Sequence, residues 1–218
     1  MQVKPTRADK VAQTRERILD AAERLFAEHG LFAVSNRQIS EAAGQANNSA
    51  VGYHFGTKSE LIKAVVDRHV APMELIRERL LSDIGADAGV REWVACNVRP
   101  MTDHLASLPG ATWWARLVAQ ILTDPSLYIA ELDESTASDS RRRAEEGLRH
   151  CVPDLPEDVA RERERMMRTL VIYACAERER ALSEGGATTR TTWEETAVGL
   201  IDAITGIWLA PVTAVAVG

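Results

Sequence analysis

Apolar residues recur along this chain at helical spacing, and no stretch shows the two-residue alternation of a strand. From Asp9 to about His29, Ile18, Ala22, Leu25 and Phe26 share one face while Arg15, Arg17 and Arg24 decorate the others. Gly30 ends this helix, as glycine often does just past a helix terminus. Ser35 and Gln38 stand at capping-box spacing, and the short helix behind them carries Ile39, Ala42 and Ala43 on one face before Gly44 stops it. Asn47, Asn48 or Ser49 can cap a second short helix running to about His54. Thr57 and Glu60 form another box, which opens a long helix to about Asp83. Its apolar stripe runs through Leu61, Ile62, Val65, Val66, Val70, Met73, Ile76 and Leu80. At ~1.5 Å per residue it reaches roughly 40 Å, long enough to leave one domain and enter another. Pro72 removes a backbone donor and crowds the preceding turn, so a kink or break is expected near His69 to Ala71.

The remaining pattern predicts helices over Ala88–Ser107, Thr112–Leu122, Ser126 to about His150, Glu157 to about Ser183, and Thr192 to about Leu209. Pro100 is expected to bend or split the first of these. The polar run from Glu134 to Arg143 reads as a solvated face or a break in the third. The fold class expected is therefore all-α.

Two short helices joined by a glycine-containing turn read as a helix-turn-helix, whose second helix enters the DNA major groove. With the helix before it, this stretch resembles the DNA-binding domain of the tetracycline-repressor (TetR) family. The residues that carry the resemblance are Ala22, Leu25, Phe26, Gly30, Ile39, Ala43-Gly44, Tyr53-His54-Phe55-Gly56, Lys58, Glu60 and Leu61. It covers roughly the first seventy residues. Between Gly44 and Phe55 the chain has one residue more than the commoner family pattern, a variant that some members share. The longer turn leaves open which side chains of the second helix face the bases. The resemblance implies an N-terminal three-helix DNA-binding domain over residues 1–56; within it residues 1–8, with Lys4 and Arg7, read as a mobile arm for phosphate or the minor groove, or as a plain disordered start. It also implies a larger helical domain over 57–218 for effector binding and dimerisation.

Composition narrows the class. Apolar residues make up 45% of 218, enough for a sizeable core, and no run is apolar and long enough to span a membrane. The start lacks the apolar segment of a secretory signal. Cys96, Cys151 and Cys175 are odd in number and far apart, which fits packing residues in a reduced cytoplasm. The net charge of −6 looks wrong for a DNA binder. Its distribution answers this: residues 1–70 carry 10 Lys and Arg against 8 Asp and Glu, and the acidic excess lies in the rest.

Candidate DNA contacts follow from residue chemistry and from the resemblance. Asn47, Asn48 and Ser49 put short polar groups at the start of the second helix, where Asn can pair with adenine edges. Plain capping by the same residues competes with that role; one is expected to cap and another to reach DNA. Arg37 is placed for phosphate, and Tyr53, His54 and Lys58 match family positions that bind phosphate oxygens. One short reading helix makes few base contacts, so a homodimer on a palindromic operator is expected. Met167, Leu170, Val171 and Ala174, with Ala197, Leu200, Ile201, Ile204 and Trp208, form stripes on the last two helices. The resemblance implies that these build a four-helix dimer interface; the alternative is that they face the protomer's own core.

Between Val90 and Tyr128 the apolar content exceeds what a thin helical layer needs. Trp93, Trp113, Trp114, Leu117, Val118, Ile121 and Tyr128, with His104 and Arg116 as polar anchors, are the candidate effector pocket that the resemblance implies. Core packing is the competing role for aromatic residues at this spacing. No nucleophile–base pair, metal spacing or phosphate loop appears, so neither enzyme activity nor a cofactor is expected. The leading expectation is a regulator, most simply a repressor released by a small, mainly apolar effector. The alternative is a helical carrier for an apolar molecule with a vestigial DNA module.

Overall fold

In the computed structural model the described residues are 6–45, 47, 49–123, 138–186 and 188–213. Among them every regular element is a helix: α1 Arg7–His29, α2 Asn36–Ala42, α3 Ala50–Phe55, α4 Lys58–Asp83, α5 Val90–Ser107, α6 Trp114–Thr123, α7 Asp139–His150, α8 Glu157–Ser183 and α9 Trp193–Leu209. No described helix is long and apolar enough to cross a membrane.

Capping chemistry sets most of the starts. The Ser35 and Thr57 hydroxyls each accept from the backbone N–H three residues on, and the Gln38 and Glu60 side chains reach back, as their spacing predicts. α1 begins two residues before the expected start because Thr6 and Asp9 make a box of the same kind. The Thr6 hydroxyl accepts from Asp9 N–H at 3.1 Å, and the Asp9 carboxylate accepts from Thr6 N–H at 2.8 Å. Arg7 therefore belongs to a helix rather than to an arm, while Lys4 lies outside the described residues. α7 begins within the polar run, where the Ser138 hydroxyl accepts from Arg141 N–H at 3.2 Å. The segment 124–137, which holds Tyr128, lies outside the described residues.

Neither proline interrupts its helix. α4 is helical on both sides of Pro72, and α5 on both sides of Pro100. A proline costs about 3 kcal/mol in a helix interior. Each helix is packed by others along its length, α4 against α1, α3, α5 and α7, and α5 against α4, α7, α8 and α9. That packing outweighs the one lost hydrogen bond.

A seven-residue and a six-residue helix are marginal alone, so α2 and α3 depend on burial. Phe26, Ile39, Val51 and Leu61 are all fully or almost fully buried between α1, α2, α3 and the start of α4. Ala42 is exposed rather than part of this face. The same apolar cluster continues into the larger half through Val65, Val94, Leu105, Trp114 and Leu117. There α9 lies along α5, α8 along α6, and α6 along α1.

Trp93 shows how closely the helices approach. A methyl group at Gly147 of α7 would collide with the Trp93 ring. In Gly147→Ala the better helix propensity, up to ~1 kcal/mol, is outweighed by overpacking of about 1–3 kcal/mol. The urea midpoint is expected to fall, and pairing the change with Trp93→Leu is expected to recover part of the loss.

Candidate nucleic-acid interface and its link to the helical core

The turn between α2 and α3 begins at Gly44, whose φ of 68° suits a residue without a side chain. Asn47 then organises the entry to α3. Its side-chain oxygen accepts from Ser49 N–H at 2.9 Å, and its carbonyl accepts from Ala50 N–H at 3.0 Å. Ser49 occupies the cap position, but its hydroxyl makes no capping bond and is exposed. Asn48 lies outside the described residues. On α3 itself Val51 is buried, while Tyr53 is 77% exposed with its ring edge-on to His54 at 5.0 Å.

Three cations near this face are engaged inside the protein. Lys58 donates to the Val34 carbonyl at 2.7 Å and lies 5.5 Å from the Phe26 ring centre. Burial lowers its ammonium pKa below the usual lysine value. An ammonium has three donors, so this bond leaves two for other acceptors. Arg37 is exposed and its Nε donates to Glu41 at 2.8 Å. Arg15, which the sequence pattern showed only as surface decoration, donates to the His54 carbonyl at 2.7 Å and stacks on the Phe55 ring at 4.0 Å. It holds the end of α3 against α1.

The candidate effector residues separate into several environments. Trp93 packs on Gly147. Trp113 is half-buried and lines a cleft of about 260 Å³ with Arg17, Asp20, Ala21 and Arg24 of α1 and Ala42 and Ala43 of α2. It therefore sits at the joint between the two halves. Leu117 is wholly buried, and Ile121 and Val118 are half-buried against the same core. Arg116 turns inward: its Nη2 donates to the Thr112 carbonyl at 3.2 Å, and its Nε lies 3.9 Å from the Glu179 carboxylate. Glu179, from α8, also accepts from Arg116 N–H at 3.0 Å and so caps the start of α6. Burial raises its pKa despite these bonds.

Trp114 and His104 meet a chain of polar groups that joins both halves. The Trp114 indole stacks on the His69 ring, centres 4.4 Å apart and planes within 11°. His69 Nδ1 is 2.7 Å from His104 Nε2, and His69 Nε2 is 2.9 Å from Glu23 Oε2. Arg68 pairs with the same Glu23 oxygen and donates to Asp20 at 2.7 Å. Glu23 belongs to α1, Arg68 and His69 to α4, His104 to α5, and Trp114 to α6. Burial pushes the Glu23 carboxyl up, but His69 and Arg68 outweigh it and hold the carboxyl below its usual value. Burial, and then the neighbouring His69, push the His104 imidazole down to about 4.

Sequence reasoning named His104 and Trp114 but missed Glu23, Arg68 and His69. A signal was present. Glu23 stands at i+4 from Leu19 and i−3 from Phe26, and His69 at i+4 from Val65 and i−4 from Met73, each on an apolar stripe.

Of the residues expected at a dimer interface, Met167, Val171, Ala197, Leu200, Ile201, Ile204 and Trp208 are buried within the protomer, and Leu170 and Ala174 are half-buried. The faces of α8 and α9 left open carry Met166, Tyr173, Leu182 and Leu209 instead. Among the described residues no group of three His, Cys, Asp or Glu could hold a metal ion.

Comparison with known proteins is consistent with this layout. Residues 18–65 match the family described as "Bacterial regulatory proteins, tetR family". Residues 95–206 match "Tetracyclin repressor-like, C-terminal domain". The chain is 36% identical over 77 residues to the HTH-type transcriptional repressor AcnR of Corynebacterium glutamicum, covering 35% of this chain and 40% of that protein. It is 35% identical over 121 residues to the HTH-type transcriptional regulator SrpR of Pseudomonas putida, covering 55% and 53%. The crystal structure of Mycobacterium smegmatis AmtR superposes with a TM-score of 0.60 at 18% identity, covering 91% of this chain and 87% of that one. The chain thus spans about half or less of the curated relatives it matches here.

The depressed His104 value has a consequence for stability. The unfolded chain binds a proton on this ring below pH 6.5, whereas the folded chain resists it down to about 4. Stability is therefore full above pH 6.5 and falls as pH drops through that window, by up to about 3 kcal/mol from this group. Urea titrations between pH 7 and 4 are expected to show the loss. His104→Gln, which keeps a donor toward His69 but does not titrate, is expected to flatten it.

Proposed function

The chain belongs to the tetR family of bacterial regulatory proteins, and from that premise we propose that it is a dimeric, sequence-specific DNA-binding transcription regulator. In this reading it is a repressor that leaves a palindromic operator when a small, mainly apolar effector occupies the helical half, residues 57–218. It works in the cytoplasm, in keeping with three free thiols, which burial keeps protonated.

The observation that carries the reading is the exposed face of a braced helix-turn-helix. α2 and α3 are held from behind by Phe26, Ile39 and Val51, while Asn47, Ser49 and Tyr53 face solvent together at the start of and along α3. Short polar groups at a helix start suit base edges, and a tyrosine hydroxyl suits a phosphate oxygen. Capping is already met by the Asn47 side chain, which leaves the Ser49 hydroxyl for DNA.

Release follows if an effector binds better to the conformation in which two reading helices are wrongly spaced; only such differential affinity shifts the DNA-bound population. α4 is the direct path, because it packs on α1 and α3 at one end and on α5 and α7 at the other. The open faces of α8 and α9, with Met166, Tyr173, Leu182 and Leu209, are the proposed contact between protomers.

Selection of bound genomic or random fragments by the purified protein at near-physiological salt tests the core of this reading. A palindrome is expected. Weak, motif-free and strongly salt-dependent binding would instead favour a carrier of apolar molecules. Against a recovered operator, Tyr53→Phe is expected to cost about 1 kcal/mol per half-site uniformly across sequences. Ser49→Ala is expected to relax preference at one base position, a loss of about 1–3 kcal/mol there. Met166→Glu combined with Tyr173→Glu is expected to give monomers in sedimentation without unfolding the protomer.

A further inference from the structure

The cleft at the joint of the two halves combines small apolar, aromatic and cationic groups that the reading face does not use. Ala21 of α1 and Ala42 and Ala43 of α2 line it with methyl groups, which leave room where longer side chains would fill it. Trp113, the residue before α6, adds a half-buried indole. Arg17 and Arg24 of α1 add two guanidiniums. They stand seven residues apart in the helix, so they share one side of α1 at a spacing of roughly 10 Å, with Ala21 between them. Side chains as long as these can converge on a group held beside Ala21.

Neither arginine is held firmly inside the protein. Arg17 Nη2 makes a long bond of 3.4 Å to the Thr14 hydroxyl, and Arg24 lies 3.9 Å from Glu28, an ion pair without a hydrogen bond. The one carboxylate among the lining residues, Asp20, already accepts from Arg68 at 2.7 Å. Two guanidiniums against one carboxylate leave the lining positive, and a guanidinium offers five donors in a plane that suits a carboxylate. The volume of about 260 Å³ falls just below the range of about 300–1,000 Å³ for drug-sized molecules, so the cleft suits one ring and its substituent. An aromatic ring gains more from an indole than an aliphatic one does, through offset or edge-on stacking.

We propose that this cleft is a binding site for a small aromatic carboxylate, in which Arg17 and Arg24 take the carboxylate and Trp113 takes the ring. It is separate from the effector position within the helical half: it lies at the surface, and it selects an anion. Its place in the fold gives it leverage. The occupant touches α1 and α2 on one side and Trp113 on the other. Trp113 adjoins Trp114, which stacks on His69 of α4. A molecule that contacts both halves at once favours the relative placement that keeps both contacts. Binding at the site needs no DNA; a part for that placement in regulation rests on the regulator reading above.

Benzoate, benzyl alcohol and acetate test the site, because they supply ring with charge, ring alone and charge alone. With the full-length protein at neutral pH and low salt, benzoate is expected to bind with a Kd on the order of 1 mM, and the other two about fivefold or more weakly. Nitrogen-15 spectra of the indoles, assigned with Trp113→Phe, are expected to show the Trp113 signal shifted by benzoate. Arg17→Gln and Arg24→Gln are each expected to weaken benzoate by about fivefold and to leave benzyl alcohol unchanged. Together they are expected to remove the salt dependence of benzoate binding. Ala42→Leu, a change at an exposed position that narrows the cleft, is expected to abolish the Trp113 shift at an unchanged urea midpoint. Should that variant unfold, the two arginine variants, which change surface side chains, decide the matter. No saturable binding of benzoate, equal binding of benzyl alcohol, or affinity indifferent to both arginines would overturn the proposal. So would a benzoate shift confined to the other indoles. None of these readouts involves DNA, so failure to find an operator would count against the regulator reading and leave this site standing.

Discussion

A carboxylate buried inside a protein must be compensated, and much of this structure is arranged around meeting that demand at Glu23. Its side chain is almost fully enclosed, yet the group stays ionised because Arg68 and His69 both reach the same oxygen. Removing one partner from such a group typically costs several kcal/mol. Glu23 is on α1 and its partners are on α4, so these two helices cannot slide past one another without stranding a charge. The contacts that continue beyond them are of a weaker kind. His104 joins through a bond between two imidazoles, and Trp114 through a stacked face. Each is on the order of 1 kcal/mol. Among these polar contacts the charged ones tie α1 to α4 and the weaker ones tie α4 to α5 and α6, while apolar packing runs through all four helices.

The same division of labour appears in how the short helices are held. α2 and α3 contribute little stability of their own. They are fixed by caps at their starts, by a core behind them, and by Arg15 closing the end of α3 from α1. On the opposite side Asn47, Ser49 and Tyr53 are exposed. Glu179 does the equivalent for α6: a buried carboxylate on α8 takes the backbone N–H groups at the start of the helix that touches α1. The face of α8 turned away from the core carries Met166 and Tyr173, so one helix links the open surface to the element beside the reading domain.

Local chemistry was the legible part of the sequence. Caps act over three or four residues, so Ser35–Gln38 and Thr57–Glu60 marked the starts of their helices. The family resemblance rested on the tight cluster from Gly44 to Leu61, where turn geometry and core contacts leave few alternatives. What was not legible depends on partners far apart along the chain. Prolines at 72 and 100 read as breaks because the packing that tolerates them is tertiary. The stripes on α8 and α9 could not say which protomer they face, since one apolar periodicity serves both uses. The candidate pocket residues were chosen as a group by composition, but Trp93, Trp113 and Arg116 meet a glycine, a surface cleft and a buried acid. Glu23 and His69 were overlooked because a polar residue on an apolar stripe makes sense only once its counterpart on another helix is known.

The engagement of the cations bears on how an acidic protein reads DNA. Nonspecific affinity grows with the number of phosphates neutralised, because each releases condensed counterions. In this reading domain Arg15 is committed to a carbonyl, Lys58 to another, Arg37 to Glu41, Lys63 to Asp67, and Arg68 to Glu23 and Asp20. These are five of the ten Lys and Arg in residues 1–70, each with an internal partner, and the remainder of the chain carries the acidic excess. A cation with an internal partner gains less from a phosphate, so these five add less to general attraction than their number implies. Discrimination depends on the ratio of specific to nonspecific binding, not on tight binding alone. In the proposed dimer, a reduced electrostatic background would give the neutral groups at the start of α3 more weight in that ratio. Under the same proposal, an error in the spacing of the two reading helices would be offset by less general attraction, which is the condition an effector of modest binding energy needs in order to act as a switch.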